Sequence, residues 1–245
     1  MPESMRREPR PIASVDTRPR QPTSGRSPQG LERPGALASV LGLMRLTAEI
    51  RWFWPDRPPP EFHGWFVGAV ATWTMNGSTE TRVDEYLRDP DQDSLGIKKR
   101  GRGDVEIKGL ISRRDKHLDF AGCTSPIELW AKWASRTLDL DGLPLIRVEK
   151  QRWKRSFSVH ADVVSELATA SGLIPRQSGC DAELTLLRGP DMAPCWTLGF
   201  EAYGKLDDVE AVLSRTVSSM ARRGPPPLTP GEAIGYPFWL KFRRW

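Results

Sequence analysis

Residues 95–110 read LGIKKRGRGDVEIKGL and have the pattern of a β-hairpin. Apolar and polar residues alternate on both sides of a Gly-Arg-Gly-Asp turn, as in two paired strands that each bury one face. The other face is charged throughout instead of showing the usual mixed polar surface. Three explanations fit this face: a solvated surface, a nucleic-acid patch, or the lining of a site. Its residues are Lys98, Arg100, Glu106 and Lys108.

The distribution of charge disfavours the nucleic-acid explanation. The 245-residue chain has a net charge of +5, which alone suggests a nucleic-acid partner. However, residues 1–40 contain seven Arg against four acidic residues, and residues 221–245 contain five Lys or Arg against one Glu. The remaining residues, 41–220, carry 24 Lys or Arg and 26 Asp or Glu, so the body of the protein is slightly acidic. A basic face for duplex DNA is therefore not expected.

Cysteine usage and hydropathy predict a cytoplasmic protein. The three Cys and three His show no CxxC or HxxxH spacing, so they indicate neither zinc nor haem. An odd number of cysteines without a signal peptide is typical of a reducing compartment. No apolar run approaches the roughly 18 residues that a membrane-spanning helix needs. The sequence therefore predicts no membrane partner.

The chain divides into a tail and one domain. Residues 1–40 hold seven Pro, three Gly and five Ser and few apolar residues, a composition that cannot bury enough surface to offset the entropy of ordering. We predict a disordered Arg/Pro-rich tail over 1–40 and a single domain over 41–245.

Strand patterns dominate that domain. Three helices are predicted among them: one after the capping-box sequence Ser-Pro-Ile-Glu at 125–128, one over 162–170 and one over 207–221. This order is not strand-helix-strand, which argues against a parallel sheet and favours an antiparallel, barrel-like α+β fold with accessory helices. The predicted strands are 46–54, 64–76, 79–87, 94–100, 104–112, 145–159, 182–188 and 197–204.

Charged faces recur on seven of these strands. Residues two apart on a strand share a face, so Glu49 and Arg51 lie opposite Ile50, and Lys150 and Arg152 lie together. For a single strand, a solvated face with weak cross-strand ion pairs is the simpler explanation. Across seven strands, a closed sheet with a charged lumen becomes the better one. Lys and Arg would there neutralise phosphate oxygens, and carboxylates would hold a hard divalent cation.

The order of these motifs resembles the CYTH-like superfamily of triphosphate tunnel metalloenzymes over about residues 46–240. Glu49-Ile-Arg51 stands where that family opens with Glu-x-Glu-x-Lys. Residues 82–87 and 95–100 resemble its Asp-x-Tyr segment and basic strand. Residues 106–108, 150–152, 182–185 and 199–204 resemble its later lysine, Lys-x-Arg and acidic strands. The resemblance implies an antiparallel eight-stranded tunnel that binds triphosphate together with Mg²⁺ or Mn²⁺.

The resemblance also implies residue roles. Lys98, Arg100, Lys108, Lys150 and Arg152 are expected from it to bind the phosphate ligand, and Arg51 is expected to join them because of its charge. The metal is expected on Glu49, Glu183 and Glu201, the last two also being the candidate catalytic residues. The sequence departs from the family at Arg51 and Phe53, which replace a carboxylate and a lysine, and at Thr185, which replaces a second late acid.

Two functions follow from these expectations and a third remains open. The first is a cytoplasmic protein that binds, and in its enzymatic form hydrolyses, a polyphosphate or organic triphosphate with a divalent metal. The second is a non-catalytic binder or sensor of an anionic phosphate ligand with a degenerate metal site, which the departures at Arg51 and Thr185 favour. The third is an RNA-contacting or scaffold protein that acts through its basic tails.

Overall fold

The computed structural model describes residues 44–71, 80–88, 93–100, 103–167, 178–190 and 192–242. The predicted tail, 1–40, lies outside them. The described residues form, in chain order, β1 (Arg45–Trp54), α1 (Pro60–Ala71), β2 (Glu80–Leu87), β3 (Leu95–Arg100), β4 (Val105–Phe120), β5 (Cys123–Ser135), β6 (Leu145–His160), β7 (Val163–Leu167), β8 (Gly179–Gly189), β9 (Met192–Tyr203), α2 (Val209–Ala221), β10 (Glu232–Ala233) and α3 (Tyr236–Phe242).

Eight strands close into an antiparallel barrel. The order around the ring is β1, β5, β4, β3, β2, β6, β8 and β9, and β9 pairs back with β1. Two short strands lie outside the ring, with β7 paired to β6 and β10 paired to β1. The predicted eight-stranded antiparallel barrel with accessory helices is therefore confirmed. The hairpin at 95–110 is part of it, with Lys98 opposite Glu106.

The barrel is polar inside and apolar outside over much of its wall. On β1, Glu49 and Arg51 face the lumen, whereas Ile50 and Trp52 belong to the buried core between the wall and the helices. Alternate residues of a strand point to opposite faces, so one alternating pattern builds both surfaces. Each large apolar side chain buried in this way contributes roughly 1.5–3 kcal/mol.

Two helices cover the outer apolar surface. α1 begins at Pro60, whose fixed φ suits a first helical position, and buries Phe62 and Phe66 one turn apart. The predicted helix over 207–221 is confirmed as α2, which buries Val209, Val212, Leu213, Val217 and Met220 against the barrel. None of the helices that the structure describes combines the length and apolar character needed to cross a bilayer.

The third helix, α3, fills one end of the barrel. Trp239 stacks on Phe53 with 5.2 Å between ring centroids, and Tyr236 meets the edge of the same ring at 5.3 Å. Tyr86, Ile146 and other inward-facing apolar residues complete this layer; they are Val148, Leu187, Cys195 and Leu240. The lumen is thus closed at the end where β1 finishes.

Three secondary-structure predictions were wrong. The segment after Ser125 is not a helix but β5, which is paired on both sides. Pro126 has no N–H for the ladder, and the register with β4 shifts beside it, between Arg113 and His117. A predicted helix over 162–170 is instead β7 as far as Leu167. Residues 64–71 of the strand predicted over 64–76 belong instead to helix α1, and residues 72–76 lie outside the described residues. Pairing with neighbouring strands overrode local helical signals in the first two cases.

Candidate functional site

The lumen contains a cavity of about 470 Å³. Of the described residues, ten basic and five acidic side chains line it, so its wall is strongly charged with an excess of cations. The basic residues are Arg45, Arg51, Arg82, Lys98, Arg100, Lys108, Lys132, Lys150, Arg152 and Lys154. The acidic residues are Glu49, Glu106, Asp181, Glu183 and Glu201.

Exposure rises along the axis of this cavity. The side chain of Lys150, beside the layer formed by α3, is 4% exposed. Toward the other end, the side chains of Arg100 and Glu106 are 43% and 34% exposed. The cavity is therefore a cup that is open at the Arg100 end and closed by α3 at the other end.

Four cations surround one fully buried carboxylate on the wall formed by β2, β3 and β6. Asp84 lies 3.1 Å from Arg82, 3.4 Å from Lys98 and 3.1 Å from Lys150. Arg100 is 3.7 Å away, and Glu106 contacts both Lys98 and Arg100 from the rim. We call these six residues the Asp84 cluster; it holds four cations and two carboxylates.

Burial and charge act in opposite directions on the Asp84 cluster. Burial alone would raise the pKa of Asp84, but Lys150, Lys98 and Arg82 more than offset it and hold that pKa well below its usual range. Asp84 is thus an internal counter-ion that is outnumbered by its cations.

Aromatic rings form the floor beneath these cations. The ammonium of Lys150 donates a hydrogen bond of 2.5 Å to the Tyr86 hydroxyl and lies 4.0 Å from the centre of the Tyr236 ring. The Arg51 guanidinium lies 4.7 Å from the same ring. Such cation–π contacts hold a cation in a dry environment without neutralising its charge. Tyr236 belongs to α3, so the helix that closes the barrel also positions its cations.

A second charged group lies on the wall formed by β1, β4, β5 and β9. Glu49 and Glu201 are direct cross-strand neighbours. The Lys132 ammonium lies between their carboxylates, 2.8 Å from Glu49 Oε1 and 2.6 Å from Glu201 Oε2. Lys108 lies 2.5 Å from the other Glu49 oxygen, Oε2. We call these four residues the Lys132 cluster; it holds two cations and two carboxylates.

The pKa shifts in the Lys132 cluster reflect these contacts. Burial raises the pKa of Glu49, but Lys108, Lys132 and Arg51 outweigh it, so the pKa falls well below its usual range. Burial likewise opposes the charged form of Lys132, but Glu201 and Glu49 raise its pKa above the usual value. Burial lowers the pKa of Lys108 to about 8, an effect that Glu49 opposes and Lys132 reinforces.

Arg51 and Glu183 lie between the two clusters. Arg51 donates to the Thr197 hydroxyl at 3.3 Å, and its guanidinium lies across Gly199, where an added Cβ would come within 2.5 Å of Cζ. Glu183 accepts a hydrogen bond of 2.6 Å from Arg152. Burial opposes the ionised form of Glu183, but Arg152 and Arg51 lower its pKa to about 2. A glycine on β9 is therefore what admits the large Arg51 side chain.

All nine residues that the sequence nominated line this one cavity; they are Glu49, Arg51, Lys98, Arg100, Lys108, Lys150, Arg152, Glu183 and Glu201. Their assigned roles stay predictions. Sequence reasoning did not nominate Lys132, which lies in the segment interpreted as a helix, or Tyr236 near the C-terminus. Arg82 was also not nominated; its spacing of two residues from Asp84, which puts both on one face of β2, was the available signal.

The three expected metal ligands do not converge as a metal site. Glu49 and Glu201 share Lys132, whereas Glu183 is held separately by Arg152. Within the described ranges, no group of three or more His, Cys, Asp or Glu is arranged to hold a metal ion. As arranged, the donor set does not fit a divalent metal, because Lys and Arg side chains occupy its oxygens. The expectation of Mg²⁺ or Mn²⁺ stays a prediction.

Comparisons with known proteins add little to this geometry. No family model and no curated protein matches the sequence. Among solved structures, the chain is similar to the S. pombe Pct1 RNA triphosphatase with a TM-score of 0.34 and 10% sequence identity, covering 81% of this chain and 87% of that one.

Proposed function

We propose that the lumen binds a compact polyanion, either a short polyphosphate or the triphosphate group of an organic molecule. One observation carries this proposal: among the residues that the structure describes, ten basic side chains and five acidic ones line one cavity, which α3 closes at one end. A wall with such an excess of cations is most favourable when a multiply charged anion is bound. The family that the sequence resembles, the triphosphate tunnel metalloenzymes, suggests the same ligand class.

The shape of the cup limits the size of this ligand. Its volume of about 470 Å³ lies in the range of small-molecule sites. Because α3 closes one end, the ligand enters from the Arg100 end and places a terminal phosphate near Lys150. A nucleoside or other organic group, if present, would remain near the rim.

The cations are held in place before the ligand arrives. Asp84 orients Lys98 and Lys150, and Glu183 orients Arg152. Groups that are already oriented lose little entropy on binding, and charge-assisted hydrogen bonds to phosphate are strong where water is excluded. We therefore propose that the ligand's phosphate oxygens accept hydrogen bonds from Lys98, Arg100, Lys150 and Arg152. Arg51 lies beside these four residues.

Hydrolysis is the second candidate activity, and one observation argues against it. Metal-assisted phosphoryl transfer needs carboxylates that can hold the metal. Here Glu49, Glu183 and Glu201 are engaged by Lys108, Lys132 and Arg152. We therefore favour a binding or sensing protein over a triphosphatase.

Calorimetry and phosphate release test the two candidates together. Tripolyphosphate, ATP and thiamine triphosphate are titrated into the protein, with orthophosphate as the minimal anion. We expect saturable one-to-one binding of at least one of the first three, which weakens as salt is raised. Arg100→Ala should weaken it. Arg188→Ala should not, because Arg188 pairs with Glu149 away from the cavity lining.

The outcomes separate the hypotheses. Binding without phosphate release, in the presence of Mg²⁺ or Mn²⁺, supports the binder. Release that is lost in Glu183→Ala supports the enzyme. If none of these phosphate compounds binds, the proposal fails.

A further inference from the structure

The carboxylate pair on β1 and β9 already contains a cation. Glu49 and Glu201 are the acids that the family resemblance assigns to a divalent metal, and Lys132 is within 2.8 Å of both. The ammonium comes from β5, the neighbour of β1 on the side opposite β9. It thus reaches across β1 to a site that a metal would otherwise bridge.

The oxygens of Glu49 are fully engaged. Oε1 accepts from Lys132 and from the Thr47 hydroxyl at 3.0 Å, and Oε2 accepts from Lys108 at 2.5 Å. Glu49 is itself only 3% exposed. Mg²⁺ requires carboxylate oxygens at about 2.0–2.1 Å in near-octahedral geometry. An ion bound by Glu49 and Glu201 would therefore compete with Lys132 for the same two oxygens.

Charge also disfavours a metal at this position. The Lys132 cluster contains two carboxylates and two ammonium groups, so it is neutral without any ion. Arg51, which stands where the family has a second carboxylate, adds a positive charge beside it. A divalent ion would then bring two more positive charges into a partly buried wall whose charges are already balanced.

We infer that the Lys132 ammonium takes the place of a divalent cation between Glu49 and Glu201, so that the lumen binds its phosphate ligand as the metal-free anion. The role of Lys132 concerns the free protein alone. The binding of a metal-free phosphate ligand rests on the proposed function. The fixed cations of the lumen then supply all of the countercharge. Mg²⁺ in solution competes with the protein for the polyphosphate instead of assisting it.

The claim that Lys132 occupies the metal position is tested by adding Mn²⁺ to the ligand-free protein. Binding is measured by electron paramagnetic resonance of the Mn²⁺ that remains free and by calorimetry. Wild type should bind no Mn²⁺ in the lumen. Lys132→Met keeps most of the side-chain volume, removes the ammonium and should create one site, at least about tenfold tighter than any in wild type. Lys132→Arg keeps the charge and serves as the matched control that should not gain the site.

Two results overturn the inference. One is Mn²⁺ binding to wild type that Glu201→Gln abolishes. The other is a folded Lys132→Met protein that gains no Mn²⁺ site, because the carboxylates would then not form a latent metal position. If Lys132→Met does not fold, wild type decides: Mn²⁺ bound through Glu201 refutes the inference, and its absence together with tripolyphosphate binding in EDTA supports it.

The binding of a metal-free phosphate ligand is tested by titrating wild type with tripolyphosphate in EDTA and in excess Mg²⁺. We expect the apparent affinity to be higher in EDTA. Tighter binding in Mg²⁺ overturns the inference. Absence of tripolyphosphate binding under both conditions refutes the proposed function and leaves the Mn²⁺ result on the free protein to decide the role of Lys132.

Discussion

The two charged walls of the lumen contain the same kinds of side chain in different proportions. The Asp84 cluster sets four cations against two carboxylates, whereas the Lys132 cluster sets two against two. The first retains a net positive charge, and the second is neutral by itself. Counting charged residues on a strand face therefore does not give the net charge of a wall, which depends on how those residues are paired.

The largest expected effect is the loss of fold stability when the buried counter-ion Asp84 is replaced. Asp84→Asn removes the carboxylate on which Lys150, Lys98 and Arg82 depend, and leaves buried cations uncompensated. We expect the free energy of unfolding to fall by about 3–5 kcal/mol. Glu106→Gln, at the exposed rim of the same cluster, should cost no more than about 1 kcal/mol. Thermal or urea unfolding measures both, and equal losses would mean that Asp84 is not the centre of the cluster.

The next effect concerns ligand affinity. Lys98→Met removes a luminal cation from the Asp84 cluster and should weaken tripolyphosphate binding by about 1.5–3 kcal/mol, the range for a charge-assisted hydrogen bond. Lys99→Met is the matched control on the same strand. Lys99 lies near Asp139 and Asp141 and is not part of the cavity lining, so calorimetry should show little change. A similar loss in both variants would point to general charge attraction instead.

A smaller effect, on the stability of the fold, is expected at Arg51, which lies between the two clusters. Gly199→Ala places a Cβ against the Arg51 guanidinium and should destabilise the fold by about 1–3 kcal/mol through overpacking. Gly109→Ala on β4 is the control, since nothing lies within 4 Å of its added Cβ. Unfolding experiments on the pair test whether β9 needs glycine to admit Arg51. An unaffected Gly199→Ala protein would show that it does not.

The smallest expected effect is a pH dependence of tripolyphosphate affinity that arises from the Lys132 cluster. With a pKa of about 8, Lys108 is protonated below that pH and loses its charge above it. The Lys132 cluster then becomes negative, so tripolyphosphate binding should weaken by less than about 1 kcal/mol as pH rises through 8. Lys108→Arg stays protonated and should lack this step, while the titration of the ligand itself affects both proteins. Identical pH profiles would exclude Lys108 as the cause.

The sequence predicted the charged strand faces well because alternation is a local rule, whereas the closed eight-stranded barrel was predicted from the order of motifs that resembles a known family. Alternation places Glu49 and Arg51 on one face and Ile50 on the other whatever the neighbours are. Closure of the sheet then brought all nine nominated side chains into one lumen. Alternation did not predict Lys132, because β5 begins with a helix-capping sequence and only pairing with β1 and β4 makes its residues alternate.

The sequence by itself determined the strands of the hairpin at 95–110 and the charged residues that share one face of each strand. The tertiary structure alone decided how those charges are paired. Whether Glu49 and Glu201 meet a metal, water or Lys132 depends on contacts between strands that are far apart in the chain. The same holds for α3, which closes the barrel with residues about 140 positions from the hairpin. Periodicity is a property of one strand, whereas charge balance is a property of the closed ring.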